Sequence, residues 1–165
     1  MNSPGLILHP QVYYSGVGLY FEDFETSGDM VTRGRTVTEA DVLAFAGLTG
    51  DYMELHTNEE YAKTTKFGRR IAHGALIFSI SMGLATRMNT LDDTLLAFAG
   101  LDKLRFVDPV FFGDTIHVVK KVVERKELSG AQGTVTFDTR VLNQHGKLVL
   151  AYMDRLLVKK RPAAG

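Results

Sequence analysis

Asp51 and His56 stand five residues apart in the stretch Ala46 to Tyr61, AGLTGDYMELHTNEEY. A carboxylate and an imidazole that converge on one water molecule serve as general acid and base, provided their surroundings hold both near working pH. Spacing alone leaves a structural alternative open. Asp51 would then stabilise the turn after Gly50, and His56 would pack beside Thr57.

The elements that would position this pair can be read from capping and periodicity. Thr38 caps a helix with Glu39 and Asp41 in its first turn, and Val42, Phe45, Ala46 and Leu48 share one face until Gly50 ends it. Asp51 to His56 then form a loop. Thr57, with Glu60 three residues on, predicts a capping box for a short second helix over 58–64, and Lys66 to Arg70 make a basic connection. From His73 to Asn89 the chain is apolar on nearly every side, which predicts a helix enclosed by other elements. Four long β segments (94–107, 114–128, 132–143 and 147–160) should enclose it, punctuated by Gly113-Asp114, Ser129-Gly130 and His145-Gly146. A shorter strand is predicted at Val31 to Val37. The pairs Val118-Val119, Val122-Val123 and Leu156-Leu157 imply burial on both faces, or a bulge.

Composition limits the classes available. The 165 residues suit one domain and would bury roughly 70% of the unfolded chain's surface. Lys plus Arg equal Asp plus Glu at 19 each, so no net positive field favours nucleic acid. With no cysteine, thiolate catalysis, disulfides and iron–sulfur clusters are excluded. The five histidines (His9, His56, His73, His117, His145) offer neither an i, i+4 pair on one helix nor a carboxylate at ligand spacing, so no metal is predicted. The start MNSPGLILHP does not read as a signal peptide, and Ile71 to Met88 is too interrupted to span a bilayer, which predicts a cytoplasmic protein. No Gly-rich phosphate loop or Gly-x-Ser-x-Gly elbow occurs. Residues 1–19 are expected to form an extended arm and 161–165 a frayed tail, flanking a domain over 20–160.

The joint pattern is more specific than the pair. Asp51 to His56 is followed by Thr57-Asn58-Glu59-Glu60-Tyr61-Ala62, then by Arg70-Ile71-Ala72-His73-Gly74-Ala75-Leu76, and later by Arg105-Phe106-Val107-Asp108-Pro109-Val110-Phe111-Phe112-Gly113-Asp114-Thr115. Over roughly Tyr20 to Lys160 this resembles the MaoC-like dehydratases, the family of R-specific enoyl-CoA hydratases. The family loop reads Gly-Asp-x-Asn-Pro-(aliphatic)-His, with His-Gly opening the central helix. Gly50, Asp51, Leu55, His56, His73 and Gly74 match, whereas Met53 and Glu54 replace the usual Asn and Pro.

The resemblance implies an α+β hot-dog fold, a curved antiparallel sheet around a central apolar helix, assembled as a homodimer or larger. It implies hydration of a trans-2-enoyl-CoA to an (R)-3-hydroxyacyl-CoA, or the reverse, with no cofactor beyond the thioester substrate itself. Asp51 and His56 would be the acid/base pair, and the Gly74 N–H at the helix N-terminus would face the developing oxyanion. His73 itself reads as structural, bonded to backbone, with a direct role as the alternative. Lys63, Lys66, Arg69 and Arg70 are candidates for the nucleotide end of coenzyme A, and Phe111 and Phe112 for an acyl tunnel, with solvated charge and core packing as their ordinary alternatives. Two other functions stay open: a hot-dog thioesterase, which needs no His56 at this spacing, and a non-catalytic acyl-CoA-binding protein.

Overall fold

The computed structural model describes residues 18–26 and 28–162. The expected arm lies outside these residues except for Gly18 and Leu19, whose N–H groups donate to Asp92 O and Thr90 O. Of the expected frayed tail, Arg161 is held: its backbone N–H donates to Glu22, and its guanidinium pairs with Asp23 at 2.7 Å.

Helix α1 (Glu39–Thr49) begins where the sequence predicts. Thr38 Oγ1 accepts from Asp41 N–H, Asp41 Oδ2 accepts in return from Thr38 N–H, and Gly50 closes the helix in the left-handed region at φ 79°. Its buried face is Val42 and Ala46; Leu48, expected on that face, is 84% exposed at the helix's last turn. Residues expected as loop instead wind into α2 (Glu54–Thr57), which carries His56. Thr57 is consumed inside that helix, so Asn58 caps α3 (Glu59–Lys63), its Oδ1 accepting from Tyr61 N–H. Helix α4 (Gly74–Thr86) follows, with His73 as its N-cap.

The predicted strand over 31–37 is two short pieces, β1 (Met30–Val31) and β2 (Arg35–Thr36), interrupted around Gly34, and both pair with the later strand that begins at Thr115. The long strands are β3 (Leu95–Phe106), β4 (Thr115–Ser129), β5 (Gln132–Leu142) and β6 (Leu148–Lys159). All pairings are antiparallel, in the order β1-β4-β5-β6-β3 with β2 beside β4.

The concave face of this sheet holds α4. Ile116, Val118, Val141, Leu150 and Tyr152 pack with Ile77, Ile80 and Leu84 of the helix, each such side chain contributing roughly 1.5–3 kcal/mol relative to exposure. A second cluster, Phe24, Val122, Val135, Phe137, Leu156 and Val158, extends the core past the helix. The apolar doublets resolve in different ways. Val118 and Val119 are both buried, whereas a register shift at Val122/Glu124 turns Val123 outward. Strand β3 is an edge, and ten of its 12 residues are exposed, Leu95, Leu96, Phe98, Leu104 and Phe106 among them. No helix among the described residues is long and apolar enough to cross a membrane.

Candidate active site

Three elements meet where α4 begins. Asp51 follows the Gly50 cap of α1, His56 sits on α2, and His73 precedes Gly74. Asp51, His56 and His73 each present a side-chain donor atom, and these atoms lie within 4.8 Å of one another. Asp51 is partly open, its side chain 43% exposed, while His56 and His73 are 8% and 2% exposed. The pair picked out by sequence spacing is thus brought together, and a third residue joins it.

The tautomer of His56 follows from its partner. Ile71 O lies 2.8 Å from Nδ1, and a carbonyl only accepts, so Nδ1 carries the hydrogen and Nε2 keeps its lone pair. Burial holds the His56 pKa below its ordinary 6.5; the nearby His73 also lowers it, against the Ile71 carbonyl and the Asp51 charge. A neutral imidazole with an open Nε2 is a proton acceptor.

Backbone contacts steady the pair. Met53 N–H donates to Asp51 Oδ1 at 3.4 Å, and Met53 O accepts from His56 N–H at 2.9 Å. Residue 53 therefore links both groups through its main chain, while the Met side chain that replaces the usual Asn is 62% exposed. Glu54, in place of the usual Pro, opens α2 and accepts from Asn58 Nδ2 at 3.0 Å.

Two imidazoles and a carboxylate are a donor set that transition metals accept by type, although the sequence spacing had suggested no carboxylate ligand. The hydrogen bonding takes the His73 nitrogen that faces Asp51 out of such a set. His73 Nε2 donates to Asp51 O at 2.9 Å, and this is also the nitrogen that lies 4.0 Å from Asp51 Oδ2. In this tautomer it is a donor and not a ligand.

Gly74 opens α4, and the helix has no side-chain cap at its N-terminus, so its first N–H groups are free to face a developing negative charge. Phe106 of β3 lies against Gly74.

The four basic candidates have different fates. Arg70 bridges Glu39 at 2.6 Å and Glu59 at 2.9 Å and lies over the Phe112 ring, so it braces α1 and α3. Lys63 pairs with Glu60 on its own helix. Lys66 and Arg69 are exposed and form no ion pair among the described residues; Arg69 stacks 3.9 Å from the Phe111 ring centroid. Phe111 also bridges to Ile71, whose carbonyl fixes His56, and Phe112 packs on the core beside α4. The two aromatics thus brace the basic connection and the segment leading to His73. A cavity of about 1350 Å3 opens near the other end of α4, between the 19–33 segment and β4, lined by Phe24, Met30, Leu84 and Met88 among others, and none of Asp51, His56 and Gly74 lines it.

His73, read from the sequence as a structural residue bonded to backbone, does donate to a backbone oxygen, and it stands as N-cap one residue before Gly74.

A profile of the MaoC like domain matches residues 24–145. The chain is 38% identical over 117 residues to the (R)-specific enoyl-CoA hydratase of Rhodospirillum rubrum, covering 70% of this chain and 71% of that protein. It is 37% identical over 99 residues to Protein MaoC of Klebsiella aerogenes, which covers 60% of this chain but only 29% of that longer protein. A monoamine oxidase regulatory protein from Archaeoglobus superposes with a TM-score of 0.84 at 38% identity, over 90% of this chain and 99% of that one. On fold alone, a Mycobacterium tuberculosis protein with a double hotdog fold matches with a TM-score of 0.78 at 19% identity, over 90% of this chain and 46% of that one. The sheet wrapped around α4 is a hot-dog fold.

Proposed function

The chain belongs to the MaoC-like dehydratase family, and from that premise we propose that it interconverts a trans-2-enoyl-CoA and the (R)-3-hydroxyacyl-CoA. Asp51 and His56 are the acid/base pair, and Gly74 N–H is the oxyanion donor. The observation that carries this reading is the meeting of the Asp51 carboxylate with His56, whose Nε2 is left free by the bond from Nδ1 to Ile71 O.

In the hydration direction a water donates its two hydrogens to Asp51 and to Nε2 of His56, which turns its oxygen lone pairs toward the substrate β-carbon. As the C–O bond forms, one water proton passes to the pair and the thioester oxygen gains charge, met by Gly74 N–H and the positive end of α4. The pair then returns a proton to the α-carbon. Overall OH adds to the β-carbon and H to the α-carbon, so no redox cofactor is required.

The exposed cations Lys66 and Arg69 are the members of the basic connection free to meet the nucleotide phosphates. The exposed apolar edge β3 supports assembly as a homodimer, in which pairing with a second copy satisfies its backbone groups. The cytoplasmic setting belongs to the same reading.

The test follows loss of enoyl absorbance on incubating the protein with crotonyl-CoA and longer enoyl-CoA thioesters. Asp51→Asn and His56→Ala should each lower turnover about 100-fold or more with the fold retained by circular dichroism, His56→Ala melting lower because it empties a buried, hydrogen-bonded site. Wild-type rates in either variant would remove the pair from the mechanism. Release of free thiol in place of absorbance loss would indicate a thioesterase, and binding without turnover a non-catalytic acyl-CoA receptor.

A further inference from the structure

We infer that His73 is a positioning residue, whose ring sets the separation of Asp51, His56 and Gly74 by touching all three of the segments that carry them. The inference rests on the reading of Asp51 and His56 as the acid/base pair and adds a member to that machinery.

Each side of the ring has a defined neighbour. One contact is with His56, ring centroids 3.9 Å apart and planes inclined by 34°. Another is with Phe45 of α1, at 5.1 Å and 51°. At its tip, Nε2 donates to the backbone oxygen of Asp51. At its root the residue is the N-cap of α4, its carbonyl accepting from Ile77 N–H at 3.1 Å, so the Gly74 N–H is displayed by the next residue along. Side chain and main chain together tie the Asp51 turn, the α2 imidazole and the head of α4 to one rigid plane that is 2% exposed.

The chemistry of the ring argues for more than filling space. Space-filling is served by any flat apolar side chain, yet this position holds a ring with a nitrogen that buries unpartnered: Nδ1 has no hydrogen-bond partner among the described residues. Leaving a buried polar atom unpaired is costly. A histidine is therefore the dearer choice for packing, and what it supplies in exchange is the Nε2–H donor to Asp51 O at ring-stacking distance from His56. Misplacing a catalytic group by about 1 Å costs about 100-fold in rate, so a plane fixing both groups has a direct kinetic consequence.

His73 also shapes the setting of His56. The groups acting on His56 are Asp51 from the loop after α1, His73 from the head of α4 and the Ile71 carbonyl; burial and His73 lower its pKa while the other two raise it. Removing the second imidazole takes away one of the two influences that lower the His56 pKa, which moves it upward.

The experiment uses the full chain with two substitutions. His73→Gln keeps an amide donor near Asp51 O and loses the stack; His73→Phe keeps the stack and loses the donor. Each should lower kcat about 100-fold with the KM for crotonyl-CoA changed less than about threefold. In His73→Gln the acid limb of the kcat profile should move to higher pH. A site-resolved NMR titration of the His56 imidazole, in wild type and His73→Gln, reads the same shift without turnover. Unchanged kcat and an unchanged His56 midpoint, with only a lower melting temperature, would overturn the inference and leave His73 as packing. If the wild type hydrates no enoyl thioester the hydratase reading falls, and the NMR comparison alone decides the positioning role.

Discussion

The ring of Phe106 fills the space in front of the Gly74 α-carbon: a β-carbon placed there would lie 2.8 Å from Cδ1 and Cε1 of that ring. The resemblance gives Gly74 a role through its N–H, which any residue but proline could supply. The tertiary structure gives a reason for glycine itself, since an edge strand delivers an aromatic ring to the head of the buried helix.

Gly74→Ala should therefore destabilise the protein by about 1 kcal/mol, the lower end for overpacking, because the half-exposed ring can yield. Phe106→Ala in the same chain should recover most of that loss. Urea melts of the two single variants and the double variant measure the coupling; strictly additive effects would mean the ring does not impose the glycine.

His56 makes stability depend on pH. Its folded pKa is lowered from 6.5, chiefly by burial, so below about pH 6.5 the unfolded chain binds this proton more readily than the folded one. The contribution is full above that value and is lost as pH falls through the folded pKa. Melting temperature should decline on acidification in the wild type and decline less in His56→Gln. Activity should persist below pH 6.5 before its acid limb begins, because the neutral base survives there.

On the concave sheet face, Lys120 Nζ lies 2.6 Å from Asp154 Oδ2, and Thr139 Oγ1 donates to the other carboxylate oxygen. Both charged residues are buried, at 4% and 0% exposure, at the junction of the two core clusters. Burial pulls the Lys120 pKa down, and Asp154 opposes this by charge and hydrogen bond. Removing one partner with Asp154→Asn should cost about 3–5 kcal/mol, because an uncompensated charge is left inside. The double change Lys120→Met with Asp154→Leu should cost much less. Equal losses in denaturant melts would show that the pair is not coupled in this way.

The apolar edge predicts association. Analytical ultracentrifugation of the wild type should show a dimer, and Phe98→Lys in β3 should shift it toward monomer, since edge charges block strand pairing. A wild-type monomer at micromolar concentration would refute pairing through this edge.

Legibility divided along the range of the interactions. The Thr38 cap and the Gly50 stop were readable because a cap is a contact between residues three or four apart. The exchange of Thr57 for Asn58 as the next cap shows the limit: two good capping residues in succession are separated only by whether the preceding turn winds into α2.

What the sequence determined by itself was the local alphabet: capped helices, one helix apolar on nearly all sides, long alternating strands, and the motif residues Asp51, His56 and Gly74. Which strand became the bare edge was decided by tertiary structure. So were the pairing of Arg70 with Glu39 and Glu59, the burial of a lysine against Asp154, and the stacking of His73 on His56. The physical reason is that each of these depends on how separate segments pack in space. His56 is oriented by a carbonyl 15 residues away and Asp51 by an imidazole 22 residues away, and no periodicity or capping rule acts over that distance.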